Sequence, residues 1–196
     1  MNPDFEKLRT ILSKVASFDE SEWDYYRQHV EFVVFEKKDL LTRKGDVEHY
    51  VYFILSGIVR HFFVWEEREV CLDFGFEKNL VSSYVSFVSQ KPSDISIQAL
   101  TSVKAFRIHY HHVEAMYAMS KRHEHFGRVI AERLFAHRLQ REMILLSMSA
   151  EEKYRHLLSE RPDLIRKIPV KDIASYLGIH PESLSRIRSK IHSAIS

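Results

Sequence analysis

The stretch from Val170 to Ser189 reads VKDIASYLGIHPESLSRIRS, and its spacing decides how the rest of the chain is read. Ile173 and Leu177 stand four residues apart, so they share one side of a helix. The small Ala174 beside them lets a second helix approach closely. Gly178 falls where the chain must turn with a positive φ, a conformation that glycine adopts without steric cost. Ile179 plugs the turn, and His180-Pro181 opens a second helix, because proline at the first helical position forfeits no hydrogen bond. Leu184, Ile187 and Ile191 recur at helical spacing and dock that helix onto the first. The pattern predicts a helix-turn-helix.

With those three residues turned inward, Glu182, Arg186 and Ser189 point the opposite way and Ser185 flanks them. This is the face a DNA major groove would meet. Arginine bonds bidentately to guanine and glutamate accepts from cytosine, so Glu182, Ser185, Arg186 and Ser189 are the expected base readers. Lys171, Ser183, Arg188, Lys190 and the backbone amides at Val170 and Lys171 are expected at phosphates, which position a protein without reading sequence. The charge agrees. From Leu164 to Ser196 the basic residues are Arg166, Lys167, Lys171, Arg186, Arg188 and Lys190, against Asp172 and Glu182, a local +4 within a chain whose net charge is +2. A role on nucleic acid therefore rests on a local patch and not on a generally cationic molecule.

Working toward the N-terminus, Ser149 is followed by AEEKYRHLL, a helix whose serine cap and early acids suit the helix dipole and which stops near Arg161-Pro162. From His112 to about Met148 the sequence is rich in Ala, Glu, Arg, Leu and Met, holds no proline and carries one glycine, Gly127; it predicts a single long helix. Phe126, Ile130, Leu134, His137 and Ile144 lie along one stripe of it and are the expected dimer interface, with Arg141 at the polar break. Val129, Leu139, Met143 and Leu146 widen the apolar surface beyond that stripe, so one side can pack on the strands while the other meets a second copy.

Between Phe32 and Ile108 the texture is that of short β-branched and aromatic runs: 32–35, 40–42, 50–55, 58–65, 69–74, 95–100 and 103–108. Turn signals such as Lys44-Gly45-Asp46 and Ser56-Gly57 separate them, which predicts a β-sandwich or roll. Two short helices precede them over residues 4–28. The fold class is thus α+β, with expected domains at 1–111, 112–148 and 149–196.

Nearly the whole chain resembles the Crp/Fnr superfamily of transcription regulators. The resemblance rests on Ile173-Ala174, Leu177-Gly178, Glu182, Leu184 and Ser185-Arg186-Ile187, and, in the β region, on Lys44-Gly45-Asp46, Tyr52, Ile54 and Leu55-Ser56-Gly57. It implies a cyclic-nucleotide-binding-like β-roll, a long dimerisation helix and a C-terminal helix-turn-helix domain. Double-stranded DNA, a second copy of the chain, RNA polymerase in the case of an activator, and an unidentified small-molecule effector are the implied partners. The phosphate-binding cassette departs from the family pattern. Cyclic-nucleotide binders hold ribose and phosphate with a Gly-Glu pair and a downstream Arg followed by Ser or Thr; here Ser82-Ser83 stands near the first and Ser93-Asp94 at the second. No arginine lies between Arg68 and Arg107. A cyclic phosphate would lose its cation and face a carboxylate, so cyclic AMP is not implied. Pro181 stands where relatives often carry a base-reading Arg, and the few residues after Ile191 leave no room for a C-terminal wing. The pattern is similar to the short regulators common in Bacteroidetes.

Other chemistries are weaker. His109-Tyr110-His111 with Glu114 mimics the metal unit of a cupin-like β-roll enzyme, yet the upstream glycine is missing and a third histidine on a partner strand is not evident. A β-roll signalling module without DNA binding is the remaining alternative. The lone Cys71 lies in a strand, forbids an internal disulfide and reads as a buried structural cysteine. Catalysis, metal and cofactor are not expected. Asp4 and Glu6 precede any apolar run, and the apolar stretch from Tyr50 to Trp65 is broken by Arg60 and His61, so the expected location is the cytoplasm, with no membrane segment.

Overall fold

The computed structural model describes residues 3–160, 162–165 and 167–193. Arg161, at the expected end of a helix, and Arg166, one of the expected basic residues, lie outside the described residues. The chain divides into two compact units, 1–63 with 74–133, and 64–73 with 134–196.

The first unit begins with α1 (Pro3–Leu12) and α2 (Glu20–His29). A capping box starts α2: the Asp19 carboxylate accepts the Glu22 N–H at 3.0 Å, and the Glu22 carboxylate accepts the Asp19 N–H at 2.8 Å. Then come β1 (Val30–Phe35), β2 (Leu40–Thr42), β3 (Tyr50–Ser56), β4 (Val59–Trp65), β5 (Arg68–Gly75), β6 (Leu80–Val81), α3 (Tyr84–Ser89), β7 (Ser96–Ala99) and β8 (Val103–His109). The strands form two four-stranded sheets, ordered β1-β8-β3-β6 and β2-β7-β4-β5. Gly57 makes the β3–β4 turn at φ 99°, and a side chain there would meet the Ser102 carbonyl at 2.4 Å.

Alternation along the strands splits the core in two. Tyr52, Ile54, Val59, Val81, Ile97, Ala99, Val103 and Ala105 fill the space shared by both sheets. Phe53, Leu55, Phe106 and Ile108 point the other way, where α1, α2 and α4 (Tyr110–Met119) cover them with Phe5, Leu8, Trp23, Tyr26, Val113 and Met116.

The seven expected strands are present. Three elements were not anticipated: the two-residue β6, the six-residue α3 and the four-residue helix Pro162–Ile165. The expected single helix over 112–148 is two helices, α4 and α5 (Lys121–Ser147), broken at Ser120, whose backbone is extended (φ −158°, ψ 148°). The cause lies far away in sequence. The Ser120 hydroxyl donates to the Glu22 carboxylate at 2.7 Å and meets the His123 ring at 3.0 Å, an arrangement a continuous helix would pull apart.

His123 is buried to 1% exposure and stacks on Phe18. Burial holds its pKa below the ordinary imidazole value, against the pull of the Glu22 carboxylate. Burial and the neighbouring imidazoles do the same to His109 and His112. Each is a base whose folded pKa is depressed, so acid protonates the unfolded chain first. Their contribution is whole above about pH 6.5 and falls as the pH drops through that value. The buried Glu48 carboxyl, whose pKa is raised, acts in the opposite sense as it takes up its proton, so in a Glu48→Gln background thermal melts should hold a level midpoint above neutrality and decline between about pH 6.5 and 5. A midpoint that stays level across that interval contradicts the assignment.

In the second unit, the C-terminal half of α5 is followed by α6 (Ala150–Glu160), α7 (Pro162–Ile165), α8 (Val170–Leu177) and α9 (Pro181–Ser193). Ser149 caps α6 as expected, accepting the Glu152 N–H at 3.3 Å while Glu152 accepts the Ser149 N–H at 2.8 Å. Among the described residues its buried apolar side chains include Tyr154, Ile165, Ile168, Ile173, Ala174, Leu177, Leu184 and Ile191. The tip of the β4–β5 hairpin, 64–73, also belongs to this unit.

Candidate nucleic-acid interface

The α8–α9 pair has the predicted geometry. Ile173, Ala174 and Leu184 are completely buried, and Leu177 and Ile191 nearly so. Gly178 ends α8 in the left-handed region at φ 66°, ψ 34°, its N–H returning to the Ala174 and Ser175 carbonyls. Ile179 is half-buried in the turn, and Pro181 starts α9.

Glu182, Ser185, Arg186 and Ser189 are all exposed, on the side of α9 away from Leu184 and Ile191. The Ser189 hydroxyl donates to the Ser185 carbonyl at 3.1 Å, and the Glu182 carboxylate lies 4.0 Å from the His180 ring. This face offers a guanidinium, a carboxylate and two hydroxyls, a mixed donor and acceptor set suited to base edges. Of the expected phosphate contacts, Lys171 and Lys190 are exposed and Val170, Ser183 and Arg188 are half-buried. Lys190 is ion-paired to Glu151 on α6 at 2.8 Å, and this pair, with Arg155, holds the Glu151 carboxyl below its usual range.

Of the expected dimer residues, Phe126 packs on the first unit's core, where its ring lies 5.6 Å from that of Phe18. Ile130, Leu134 and Ile144 are half-buried within the chain, and His137 is exposed, 3.8 Å from the Asp73 carboxylate. The apolar side chains of α5 that remain uncovered are Phe135 (71% exposed), Leu139 (48%), Met143 (56%) and Leu146 (81%). Spaced four, four and three residues apart, they form a stripe of their own along the helix.

The cassette region is closed on itself. Ser83 and Ser93, both buried, share a hydroxyl–hydroxyl hydrogen bond of 2.7 Å, and the Ser93 backbone is held by Gly45 and Asp46 at 2.8 and 2.9 Å. Ser82 donates to the Tyr50 carbonyl at 3.0 Å, and Asp94 is exposed. Sequence reasoning missed Glu48. It is 2% exposed and accepts from the Thr42 hydroxyl and the Tyr50 and Ser83 amides, so it ties the β2–β3 loop to the cassette. Burial pushes its pKa up. Beside it opens a cleft of about 270 Å³, lined by Thr42, Arg43, Asp46, Glu48, Tyr52 and Arg107. The Arg107 charge is already answered by Glu31, at 2.7 to 2.8 Å, and by the Tyr50 ring.

His109 ends β8 and caps α4, its ring accepting the His111 N–H at 3.2 Å; His111 and Glu114 lie on α4. Among the described residues no group of three or more His, Cys, Asp or Glu is placed to hold a metal ion. No helix among them is long and apolar enough to cross a membrane.

Residues 32–120 match the family model of the cyclic nucleotide-binding domain. Among solved structures the chain is similar to FixK2 from Bradyrhizobium japonicum, with 16% identity, a TM-score of 0.75 and coverage of 84% of this chain and 85% of that one. It is also similar to CLP, the c-di-GMP responsive global regulator of Xanthomonas campestris, with 14% identity, a TM-score of 0.69 and coverage of 90% and 93%. A protein from Eubacterium rectale described as of the Crp/Fnr family aligns with 16% identity, a TM-score of 0.70 and coverage of 90% and 85%. No curated protein sequence matches. In fold the chain is similar to solved structures of the Crp/Fnr type, and its β-roll falls within the stretch matched by the cyclic nucleotide-binding domain model.

Proposed function

We propose that the chain is a sequence-specific, DNA-binding transcription regulator of the Crp/Fnr type that acts as a homodimer in the cytoplasm and has no enzymatic activity. One observation carries the reading. On α9 the side bearing Leu184 and Ile191 is buried, and the opposite side presents Glu182, Ser185, Arg186 and Ser189 together to solvent. A helix so displayed at the end of a helix-turn-helix enters a major groove, and two copies read half-sites about 34 Å apart on a near-palindromic operator. Lys171, Ser183, Arg188, Lys190 and the first amides of α8 contact phosphates; Lys190 exchanges Glu151 for phosphate on binding.

The dimer forms through Phe135, Leu139, Met143 and Leu146 of α5, the stripe its own chain leaves bare. On the other side Phe126 packs on its own protomer's core, and Ile130, Leu134 and Ile144 are half-buried. The effector is a small molecule other than a cyclic nucleotide: by the family resemblance Ser93 stands where the phosphate-holding arginine would be, its hydroxyl is bonded to Ser83, and Arg107 beside the cleft is already engaged by Glu31. An activator of this kind would also meet RNA polymerase.

The test selects bound fragments from the source genome with purified protein and measures variants on the winning site. Arg186→Ala should cost about 1–3 kcal/mol and relax preference at one base pair. Lys190→Ala should weaken all DNA alike and lower the salt dependence by roughly one counterion. Unchanged selectivity in the Arg186 variant removes it from the base-reading set.

A further inference from the structure

Within the C-terminal unit, one hydroxyl ties α8 to the β4–β5 hairpin. β5 is the last strand of its sheet, so the peptide groups on its outer edge have no strand to pair with. On that edge the Cys71 N–H donates to Ser175 Oγ at 2.8 Å, and the Ser175 hydroxyl donates to the Glu69 carbonyl at 3.3 Å. Residues two apart on a strand offer their groups to the same side, and Ser175 answers both with a single atom. Around this clasp the hairpin and α8 each meet α5. The Asp73 carboxylate lies 3.8 Å from His137 and 3.7 Å from Arg138. Arg141 donates to the Tyr176 carbonyl at 2.7 Å, with its guanidinium 3.6 Å from the Tyr176 ring centre.

The side chain of Ser175 takes no part in making the helix pair. Ile173, Ala174 and Leu177 pack against α9, and helical geometry turns Ser175 to the other side of α8. In the clasped arrangement the outward face of α9 stays open. We infer that Ser175 is a positioning residue for DNA binding: by clasping the edge of β5 with both donor and acceptor it holds α8, and with it α9, in the orientation that meets the groove. The inference rests on the reading of α9 proposed above. Binding to DNA is tightened when the reading helix is held in place beforehand, since less freedom is lost on association.

The lone cysteine supplies the probe. Cys71 is 3% exposed beneath the clasp, so its reaction with a small aromatic disulfide reports opening of the hairpin from α8. The experiment uses the full chain, with Ser175→Ala, which removes both hydrogen bonds, and Ser175→Thr, which keeps a hydroxyl. Ser175→Ala should raise the Cys71 reaction rate and lower affinity for the selected DNA fragment, each about tenfold, as expected for two hydrogen bonds of ordinary net strength. Helix content should not change, and Ser175→Thr should restore both readouts. An unaltered Cys71 rate in Ser175→Ala overturns the clasp. Raised reactivity with undiminished DNA affinity overturns the positioning role while leaving the clasp. Wild-type protein that selects no DNA overturns the reading of α9 itself, and the positioning role with it.

Discussion

A chain carrying Leu146→Glu is expected to be monomeric at micromolar concentration and to lose DNA affinity by more than about a hundredfold, because two half-sites then bind separately and the gain in effective concentration is lost. Leu146 is 81% exposed on the protomer, and Leu139 lies along the same stripe. Burying each large apolar side chain against a partner is worth about 1.5–3 kcal/mol, and a glutamate at that place brings an unpaired charge into the seam. Leu139→Glu should act alike, and both variants should keep the wild-type melting temperature of the isolated protomer. Ile130→Glu should behave differently, since Ile130 is already half-buried within its own chain and its replacement strikes the protomer's stability first. Light scattering coupled to gel filtration decides the matter. A Leu139→Glu, Leu146→Glu double variant that still elutes as a dimer moves the interface elsewhere.

Leu184→Ala is expected to destabilise the C-terminal unit by about 2–5 kcal/mol, the usual cost of truncating a fully buried leucine. That unit has a small core, and Leu184 joins Ile173, Ala174 and Leu177 at its centre with no exposed area. The loss should unfold α8 and α9 at a temperature at which the β-roll survives. The two tryptophans allow the units to be followed apart. Trp23 is 1% exposed in the N-terminal unit, and Trp65 is 64% exposed on the hairpin tip of the other. In Leu184→Ala the helical signal should fall early while Trp23 emission holds, and DNA binding should vanish with the helices. Leu184→Met, which conserves volume, should lose less than about 1.5 kcal/mol and keep binding. A melt in which both tryptophans and the helical signal shift together would instead show that the units unfold as one.

The strands of the roll were legible because each carries several β-branched or aromatic residues between turn signals. The two-residue β6 is too short to show a period, and α3 is the six residues YVSFVS, whose valines and serines read as strand or loop. The inward and outward sets of α9 were legible from spacing alone, since Leu184, Ile187 and Ile191 leave Glu182, Arg186 and Ser189 no other direction. The break at Ser120 was not. Its neighbours favour helix on both sides, and of the groups that hold it His123 is local while Glu22, 98 residues away, comes into place only through folding. Glu48 escaped for a similar reason, because nothing in its neighbours tells that Thr42 and Ser83 converge on it.

Local order was therefore written in the chain itself: the longer strands, caps, the left-handed glycine at 178 and the exposed face of α9 all follow from periodicity and backbone sterics acting over a few residues. Which of two apolar stripes on α5 is left bare, where the long helix breaks, and that the hairpin tip belongs with α8 were decided by tertiary structure. The Cys71–Ser175 bond spans 104 residues. Contacts of that range have no local signature, because each partner's pattern is satisfied by any surface of the right chemistry, and only the packed chain selects one.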